Sequence, residues 1–241
     1  MLAKRTFDLF VTLTAAIAWL PALVVASLAI LVLEGRPVFY ASKRVVRRGR
    51  TVRVVKFRTM VRDAESVYNR EVVPVEDGVR FLNVPPDSKL YTPIGRLIER
   101  MGFTELPQLF LVLAGRMSLV GNRPLPENVM ASLREANDDV DARVDTPAGL
   151  TGPVQLVGRE RLSDAQRLDI ERTYCRAAIH SNTWWLDFLI LLYTVLAVMR
   201  LRRPMSYQDV REFLGRRHGV RILEPQRLSE DESVSPFERF K

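Results

Sequence analysis

The feature that most constrains the fold of this chain is an uncharged apolar segment from Leu9 to Leu33. Its roughly 25 residues are enough for a helix to cross a bilayer core of about 30 Å. Pro21 lies near the middle of the segment, and an interior proline removes a helical hydrogen bond and kinks or breaks a helix. We therefore expect a membrane helix that breaks at Pro21.

Basic residues flank this apolar segment on both sides: Lys4, Arg5, Arg36, Lys43 and Arg44. Cytoplasmic loops are the ones enriched in Lys and Arg, so two positive flanks favour a re-entrant helix that enters and leaves by the same membrane face. A kinked span is the first alternative. A cleaved signal peptide is the second, with Val24-Val25-Ala26 as a weak cleavage site.

The positive charge of the chain is concentrated just after the apolar segment. From Glu34 to Arg62 there are ten Lys or Arg residues and one acid, so this stretch carries +9 while the whole chain carries +8. A basic block beside a membrane segment indicates anionic lipid headgroups or phosphorylated ligands as partners. Nucleic acid is a weaker interpretation, because the sequence has no recognised nucleic-acid motif and few aromatic residues in this block.

Cysteine and histidine usage excludes several kinds of site. Cys175 is the only cysteine, so no intramolecular disulfide can form and a reducing cytosol fits. His180 and His218 are the only histidines, which makes a Cys/His zinc site or a Ser-His-Asp triad a poor interpretation.

Local patterns predict several elements in the first half of the chain. Residues 38–60 alternate β-branched and basic residues around Arg48-Gly49-Arg50, which predicts a β-hairpin. A helix is predicted from Thr92, as its cap, to Gly102. A second helix is predicted to start at Thr104, with Thr104 as its cap, and to end at Gly115. Residues 63–83 are predicted to be helix followed by loop.

The second half is expected to contain loop and extended chain over 147–158 and a helix over 164–175. The apolar stretch 184–199 begins with two tryptophans and is followed by arginines, which favours a helix lying in the membrane interface. A buried core helix is the alternative. The tail 224–241 is polar and is expected to be disordered.

The stretch from Thr104 to Pro124 carries the strongest chemical signal. It places the carboxylate of Glu105 at a predicted helix start and ends in Asn122-Arg123-Pro124. A helix N-terminus, a carboxylate and a nearby arginine together suit a divalent cation that holds a phosphorylated substrate.

Seven short stretches, in order along residues 4 to 200, resemble the bacterial sugar transferases. These are the monotopic polyprenyl-phosphate phosphoglycosyltransferases that begin surface glycan assembly. The stretches are Lys4-Arg5-Thr6-Phe7-Asp8, Gly35-Arg36-Pro37-Val38-Phe39, Lys56-Phe57-Arg58-Thr59-Met60, Glu105-Leu106-Pro107-Gln108-Leu109, Met117-Ser118-Leu119-Val120-Gly121-Asn122-Arg123-Pro124, Gly149-Leu150-Thr151-Gly152 and Trp185-Leu186-Asp187.

The resemblance implies transfer of a sugar phosphate from a nucleotide sugar, commonly a UDP-sugar, to polyprenyl phosphate. The products would be a polyprenyl diphosphate sugar and a nucleoside monophosphate, and Mg²⁺ would be required. It also implies a location on the cytoplasmic face of the bacterial inner membrane, among anionic lipids, with no role for nucleic acid.

With the local patterns, the resemblance predicts an α+β fold that is mostly helical. A re-entrant membrane helix over 1–35 is expected to precede a short β-hairpin and a compact helical catalytic domain with an interfacial helix, together 36–223. The disordered tail would follow over 224–241.

The sequence departs from the family at the position of the nucleophile. The mechanism ascribed to the family uses an Asp-Glu pair before Leu-Pro-Gln, and here Thr104 takes the place of the aspartate while Glu105 remains. A carboxylate is a competent phosphoryl acceptor, whereas a threonine hydroxyl needs a base and forms an ester with a poor leaving group.

Three interpretations of this departure stay open. Glu105 serves as nucleophile or metal ligand, Thr104 is used with help from another group, or the protein is an inactive homologue that acts as a membrane-associated binding or partner protein. A membrane-anchored nucleic-acid binder is a weaker rival to all three.

Arginine side chains are the candidates for holding phosphate, because a guanidinium binds phosphate oxygens in pairs. The resemblance places Arg58 and Arg123 in this role, with Lys56 and Arg96 as weaker candidates. Asp63 and Glu65 could reach a cation, although a solvated helix face explains them better. Leu20 stands where the family has serine before Pro21, so the hydroxyl that could stabilise a break is absent.

Overall fold

The computed structural model describes residues 2–62, 64, 88–136, 139–157, 162–180 and 184–216. The α-helices and β-strands, in chain order, are α1 (Leu2–Thr14), α2 (Ala16–Glu34), β1 (Phe39–Val45), β2 (Thr51–Phe57), α3 (Pro93–Arg100), α4 (Leu109–Leu113), β3 (Ser118–Val120), α5 (Glu127–Ala136), β4 (Gly149–Thr151), α6 (Pro153–Val157), α7 (Asp164–His180), α8 (Trp184–Val198) and α9 (Tyr207–Arg216). The predicted α+β, mostly helical fold is confirmed.

The N-terminal helices are interrupted at Ala15, not at Pro21. Pro21 lies inside α2, so the predicted position of the break is wrong. At the interruption the Thr12 carbonyl accepts a hydrogen bond from the indole Nε1 of Trp19, 2.9 Å away. This bond gives the carbonyl a partner outside the helical ladder, which is a recognised cause of local distortion.

Among the described residues, α2 is the one helix of 18 residues or more that is apolar enough to cross a membrane, and most of it is not covered by the rest of the protein. The structure agrees with the prediction of a membrane segment here. The choice between a re-entrant and a spanning path stays a prediction.

A buried polar network attaches α1 to the rest of the fold. Lys4 Nζ lies 2.6 Å from Asp187 Oδ2 of α8 and 2.7 Å from the Val120 carbonyl of β3. The Tyr174 hydroxyl donates to the other Asp187 oxygen at 2.8 Å. Nearby, Asp8 Oδ1 accepts from the amide of Leu119 at 3.0 Å. Breaking such a buried ion pair costs about 3–5 kcal/mol, so α1 is firmly fixed to the core.

The predicted hairpin is confirmed as β1 paired antiparallel with β2, from Phe39 opposite Phe57 to Val45 opposite Thr51. The turn uses Arg48 and Gly49, both with positive φ. The helix predicted from Thr92 is also confirmed, since Thr92 Oγ1 accepts from the Gly95 amide at 3.0 Å and caps α3.

The predicted helix start at Thr104 is wrong. A 3₁₀ turn covers Leu106–Gln108, and α4 begins only at Leu109. The Thr104 carbonyl accepts from the Phe57 amide at 3.0 Å, at the end of β2, so it is not the first acceptor of a helix. Thr104 and Glu105 therefore lie in a turn between α3 and the 3₁₀ segment.

A parallel pair of short strands, which the sequence did not reveal, crosses the core. Ser118 of β3 pairs with Gly149 of β4, and Val120 pairs with Thr151. The interpretation of residues 147–158 as loop and extended chain is correct for β4 but misses α6. The apolar core packs these strands against α4, α7 and α8, with Val120, Ile170, Leu186 and Ile190 among its members.

Helix α8 has one buried and one exposed apolar side. Leu186, Asp187 and Ile190 are buried, whereas six apolar residues are exposed: Trp184, Trp185, Phe188, Leu192, Val195 and Val198. This one-sided exposure favours the predicted interfacial helix over a fully buried core helix. The helix predicted over 164–175 is confirmed as the longer α7.

Three predictions fall outside the described residues. The helix and loop over 63–83, the possible cation ligands Asp63 and Glu65, and the disordered tail 224–241 all lie there.

Candidate active site

The site predicted from the sequence centres on an ion pair between Glu105 and Arg123. Glu105 Oε1 lies 2.7 Å from Arg123 Nη2, and the two side chains are 24% and 37% exposed. The pair joins two of the sequence motifs, one in the turn before α4 and one in the loop after β3. A carboxylate and a guanidinium that meet at the surface can receive a phosphorylated ligand and a cation together.

Thr104, beside Glu105, has a different partner. Its side chain is buried, and its Oγ1 donates a 2.6 Å hydrogen bond to Glu99 Oε2 of α3. The capping role expected for Thr104 is therefore wrong. Glu105 also makes no capping hydrogen bond with its side chain. The sequence analysis did not single out Glu99, because nothing in its local pattern distinguishes it from a solvated helix residue.

The loop that carries Arg123 is held by a second buried ion pair. Arg143 Nε lies 2.7 Å from Glu171 Oε2, and both side chains are almost fully buried. Arg143 Nη2 also donates to the Arg123 carbonyl at 2.9 Å, and Asn122 Nδ2 donates to the Arg143 carbonyl at 3.0 Å. The sequence analysis missed this pair because the two residues lie far apart in the chain and outside the motifs.

Close backbone contact between β3 and β4 sets the position of the same loop. The Gly121 amide donates to the Thr151 carbonyl at 2.8 Å, and the Gly149 amide donates to the Asn122 carbonyl at 3.0 Å. A Cβ on Gly121 would lie 2.2 Å from the carbonyl oxygen of Pro147, so only glycine fits.

The other predicted phosphate-binding residues make contacts of their own. Arg58 is buried, and its Nη2 donates to the Gly35 carbonyl at 3.0 Å and lies 3.5 Å from Glu34 Oε2. A guanidinium at the C-terminal end of α2 complements the helix dipole, which is a structural role. A phosphate-binding role for Arg58 stays a prediction.

Lys56 and Arg96 also occupy defined positions. The Lys56 Nζ lies 5.4 Å from the ring centroid of Tyr40 across the hairpin. Arg96 Nη2 donates to the Tyr91 carbonyl at 3.4 Å, while its buried Nε has no hydrogen-bond partner among the described residues. The Arg96 Nε is thus a buried donor that the described part of the fold leaves unsatisfied.

Arg123 also lines a small cleft. The other polar residues of its lining are Asn122, Gln155, Arg167 and Glu171. Two buried polar atoms of its lining, Asn122 Oδ1 and Gln155 Nε2, have no hydrogen-bond partner among the described residues. One is an acceptor and the other a donor, so the cleft offers unused hydrogen-bonding capacity next to the candidate phosphate-binding arginine.

Cys175 is a structural residue and not a nucleophile. Burial raises the pKa of its thiol to about 11. Its Sγ lies 3.1 Å from Thr146 Oγ1 and 3.2 Å from Asn122 Nδ2, which places it beneath the Arg123 loop. Among the described residues no group of three or more His, Cys, Asp or Glu side chains could hold a metal ion.

Comparison with known protein families identifies the family of this chain. Residues 1–201 match the family model described as bacterial sugar transferase. The chain belongs to the bacterial sugar transferase family. The match includes the Glu105 turn, the Arg123 loop and the three segments joined by the Lys4–Asp187 network.

Curated relatives carry names that agree with this membership. The chain is 36% identical over 202 residues to the UDP-galactose-lipid carrier transferase of Erwinia amylovora, and 33% identical over 202 residues to the undecaprenyl-phosphate galactose phosphotransferase of Salmonella typhimurium. It is 28% identical over 203 residues to the exopolysaccharide production protein ExoY of Sinorhizobium fredii.

These matches cover 82% of this chain in each case. They cover 40% of the Erwinia and Salmonella proteins and 85% of the Sinorhizobium protein. The chain therefore spans less than half the length of the Erwinia and Salmonella proteins and most of the length of the Sinorhizobium protein.

Proposed function

We propose that this chain transfers a sugar 1-phosphate from a nucleotide sugar, a UDP-sugar in our proposal, to polyprenyl phosphate, and so initiates exopolysaccharide or surface glycan assembly. The observation that carries the proposal is the partly exposed Glu105–Arg123 ion pair, 2.7 Å long, on a loop fixed by β3, β4 and the Arg143–Glu171 pair. The names of the relatives in Erwinia and Salmonella supply the class of donor and acceptor.

The donor diphosphate would lie against Arg123, whose guanidinium is preorganised by the loop. Electrostatic preorganisation of this kind is the main contribution that proteins make to phosphoryl transfer, because charge on the phosphate oxygens must be stabilised as the bond to the leaving group breaks. The leaving group would be the nucleoside monophosphate.

Magnesium fits the residues present. Mg²⁺ in proteins is commonly held by one or two carboxylates together with substrate phosphates, and Glu105 is an accessible carboxylate next to the candidate phosphate site. When bound, the ion would neutralise charge on the phosphate oxygens. Glu105 would thus both hold the cation and orient Arg123.

Polyprenyl phosphate as acceptor requires the site to lie at a membrane, and two surfaces support this. Helix α2 is long, apolar and largely uncovered, and α8 exposes a row of apolar side chains that starts with two tryptophans. The basic block between Glu34 and Arg62 lies next to α2 in sequence and would meet anionic headgroups. We propose the cytoplasmic face of the inner membrane as the location.

A second candidate function rests on Thr104. If no carboxylate can replace the family aspartate at this position, the chain would bind a nucleotide sugar at the membrane without turnover and act as a partner protein. This alternative predicts donor binding without release of nucleoside monophosphate.

The two functions are separated by measuring nucleoside monophosphate release from the purified chain with undecaprenyl phosphate, Mg²⁺ and a panel of UDP-sugars. We expect release that needs all three components, and a loss of about 100-fold or more in Glu105→Gln. Glu135→Gln, at an exposed glutamate of α5 outside the motifs, is the matched control and should behave as wild type. Equal release from wild type and Glu105→Gln would remove Glu105 from the mechanism. Binding without any release would support the partner protein.

A further inference from the structure

Strand β3 leads into the loop of the candidate active site, and each of its three residues is hydrogen-bonded by a side chain of α1. The carboxylate oxygen Asp8 Oδ1 accepts from the Ser118 hydroxyl and from the Leu119 amide, both at 3.0 Å. The Lys4 ammonium donates to the Val120 carbonyl at 2.7 Å. The bonded residues are 110 to 116 positions apart in the sequence, so these contacts attach the whole strand to a distant helix.

The contacts between α1 and β3 are closed to solvent. Asp8 and Ser118 are both buried, so water cannot take the place of a bond that is lost there. Without the Asp8 carboxylate, the Ser118 hydroxyl and the Leu119 amide would be buried donors with no acceptor, which is more costly than the loss of an exposed bond. The position of β3 therefore depends on one buried side chain of α1.

The short connection from β3 to Arg123 is itself held at each residue. Only Gly121 and Asn122 separate the strand from Arg123. The Gly121 amide donates to the Thr151 carbonyl at 2.8 Å, and the Asn122 carbonyl accepts from the Gly149 amide at 3.0 Å. Because the backbone is bonded at both residues, a shift of β3 is transmitted to Arg123 and is not absorbed by the loop.

The guanidinium of Arg123 has to be placed accurately. It lies 2.7 Å from Glu105 Oε1, and in the proposed reaction it also binds a phosphate of the donor. A guanidinium binds phosphate through donors in a fixed fork geometry, and a displacement of about 1 Å is enough to weaken such a site. Arg143 holds the loop at the Arg123 carbonyl. The contacts of Asp8 hold it from the side of β3.

We propose that Asp8 is a positioning residue for donor binding: it fixes β3 and, through β3, the guanidinium of Arg123. This inference rests on the role that the proposed function gives to Arg123. As a buried residue, Asp8 acts through Arg123 and not on the substrate itself. The N-terminal helix is thereby part of the framework of the site, in addition to leading the chain into the apolar helix α2.

The test is titration of UDP-galactose and of UDP, each with Mg²⁺, into the full-length protein in detergent. Asp8→Ala removes the acceptor of both bonds and should weaken UDP-galactose binding about tenfold. Asp8→Asn keeps a carbonyl oxygen that accepts the same two bonds and should restore most of the affinity. Unchanged affinity in Asp8→Ala overturns the inference, and so does an Asp8→Asn variant that binds as weakly as Asp8→Ala.

A double-mutant cycle separates the positioning of Arg123 from a general loss of stability. Arg123→Lys keeps the charge but replaces the rigid fork by a flexible ammonium, so binding depends less on the position of the loop. In this background Asp8→Ala should weaken UDP-galactose binding by only about twofold. A tenfold loss in both backgrounds would overturn the inference, because Asp8 would then act independently of the guanidinium.

Tyr207→Phe is the matched control for stability. It removes the 2.7 Å hydrogen bond from the Tyr207 hydroxyl to Asp169, which joins α9 to α7. The substitution should lower the melting temperature and leave UDP-galactose affinity as in wild type. A loss of affinity as large as that of Asp8→Ala would overturn the inference, since any loss of stability would then weaken donor binding.

Ser118→Ala tests the same link if Asp8→Ala does not fold. This variant removes one of the two bonds to Asp8 and leaves the Leu119 amide bonded, so UDP-galactose binding should weaken about threefold. Affinity equal to that of wild type in folded Ser118→Ala would then overturn the inference.

The affinities also separate this inference from the transferase function. Release of nucleoside monophosphate by wild type, with unchanged donor affinity in the Asp8 variants, overturns the role of Asp8 while the transferase function stands. Donor binding by wild type without any release overturns the transferase function, and the affinities of the variants still decide the role of Asp8. A wild-type protein that binds neither UDP-galactose nor UDP overturns both.

Discussion

Thr104 and Glu105 are neighbours in the sequence, but their side chains act in different places. Thr104 points into the fold and donates to Glu99 of α3, while Glu105 points to the surface and pairs with Arg123. The difference arises because the chain turns sharply between α3 and the 3₁₀ segment, so successive residues face different parts of the structure.

The same residue-scale argument applies to the thiol of Cys175. Burial raises its pKa to about 11, so the native thiol is neutral near neutral pH and inaccessible. We expect iodoacetamide to leave Cys175 unmodified in the folded protein at pH 8 and to modify it after unfolding in urea, as read by intact mass. Full labelling of the folded protein would contradict this.

The raised pKa of the Cys175 thiol also makes the stability of the fold depend on pH. An ordinary thiol has a pKa near 9.0, so above that pH the unfolded state releases a proton while the folded state keeps it. The contribution of Cys175 to stability is complete below about pH 9 and is lost as the pH rises through about 11.

At the scale of elements, the parallel pair of β3 and β4 positions the Arg123 loop. The two strands come so close at Gly121 that a Cβ there would lie 2.2 Å from the Pro147 carbonyl oxygen and 2.8 Å from the Gly149 nitrogen. These are backbone atoms that cannot move without separating the strands. The position of Arg123, the candidate phosphate-binding arginine, thus depends on a contact between two strands whose paired residues are 31 positions apart in the sequence.

Replacing Gly121 tests this dependence. We expect Gly121→Ala to lower the free energy of unfolding by about 1–3 kcal/mol and to weaken donor binding, because the loop that carries Arg123 must shift. Thermal melting in detergent and donor titration are the measurements. Gly49→Ala is the control, since nothing lies within 4 Å of a Cβ there and only the cost of a positive φ remains. A melting temperature and a donor affinity equal to those of wild type in Gly121→Ala would argue against the close approach.

At the scale of the whole molecule, the exposed apolar surfaces favour membrane association. Helix α2 and the exposed side of α8 are apolar, and the turn at Gly102, just before Thr104 and Glu105, lies against Val198 at the end of α8. The proposed reaction joins a soluble donor to a lipid acceptor and therefore needs a site next to an apolar surface.

A charge on the exposed side of α8 should weaken membrane association. We expect Val195→Glu to reduce flotation of the protein with anionic liposomes, because burying a carboxylate in the interface is unfavourable. Ala131→Glu adds the same charge to the exposed surface of α5 and should float as wild type does. Equal flotation of the two variants would show that α8 does not contact the bilayer.

The sequence by itself determined the features that depend on residues close together in the chain. The alternation of residues 38–60 predicted the hairpin, and Thr92 with Pro93 predicted the start of α3, because strand pairing across a short turn and helix capping are local interactions. The ordered motifs also identified the family and pointed to Glu105, Arg58 and Arg123 as site residues.

Only the tertiary structure decided which distant residues meet. The partner of Thr104, the use of Arg58 at the end of α2 and the Arg143–Glu171 pair all depend on the path of the chain through the core. The prediction that Thr104 caps a helix failed for the same reason: a hydrogen bond from β2 to its carbonyl overrides the local preference. Local propensities are worth about 1 kcal/mol, and packing between distant segments outweighs them.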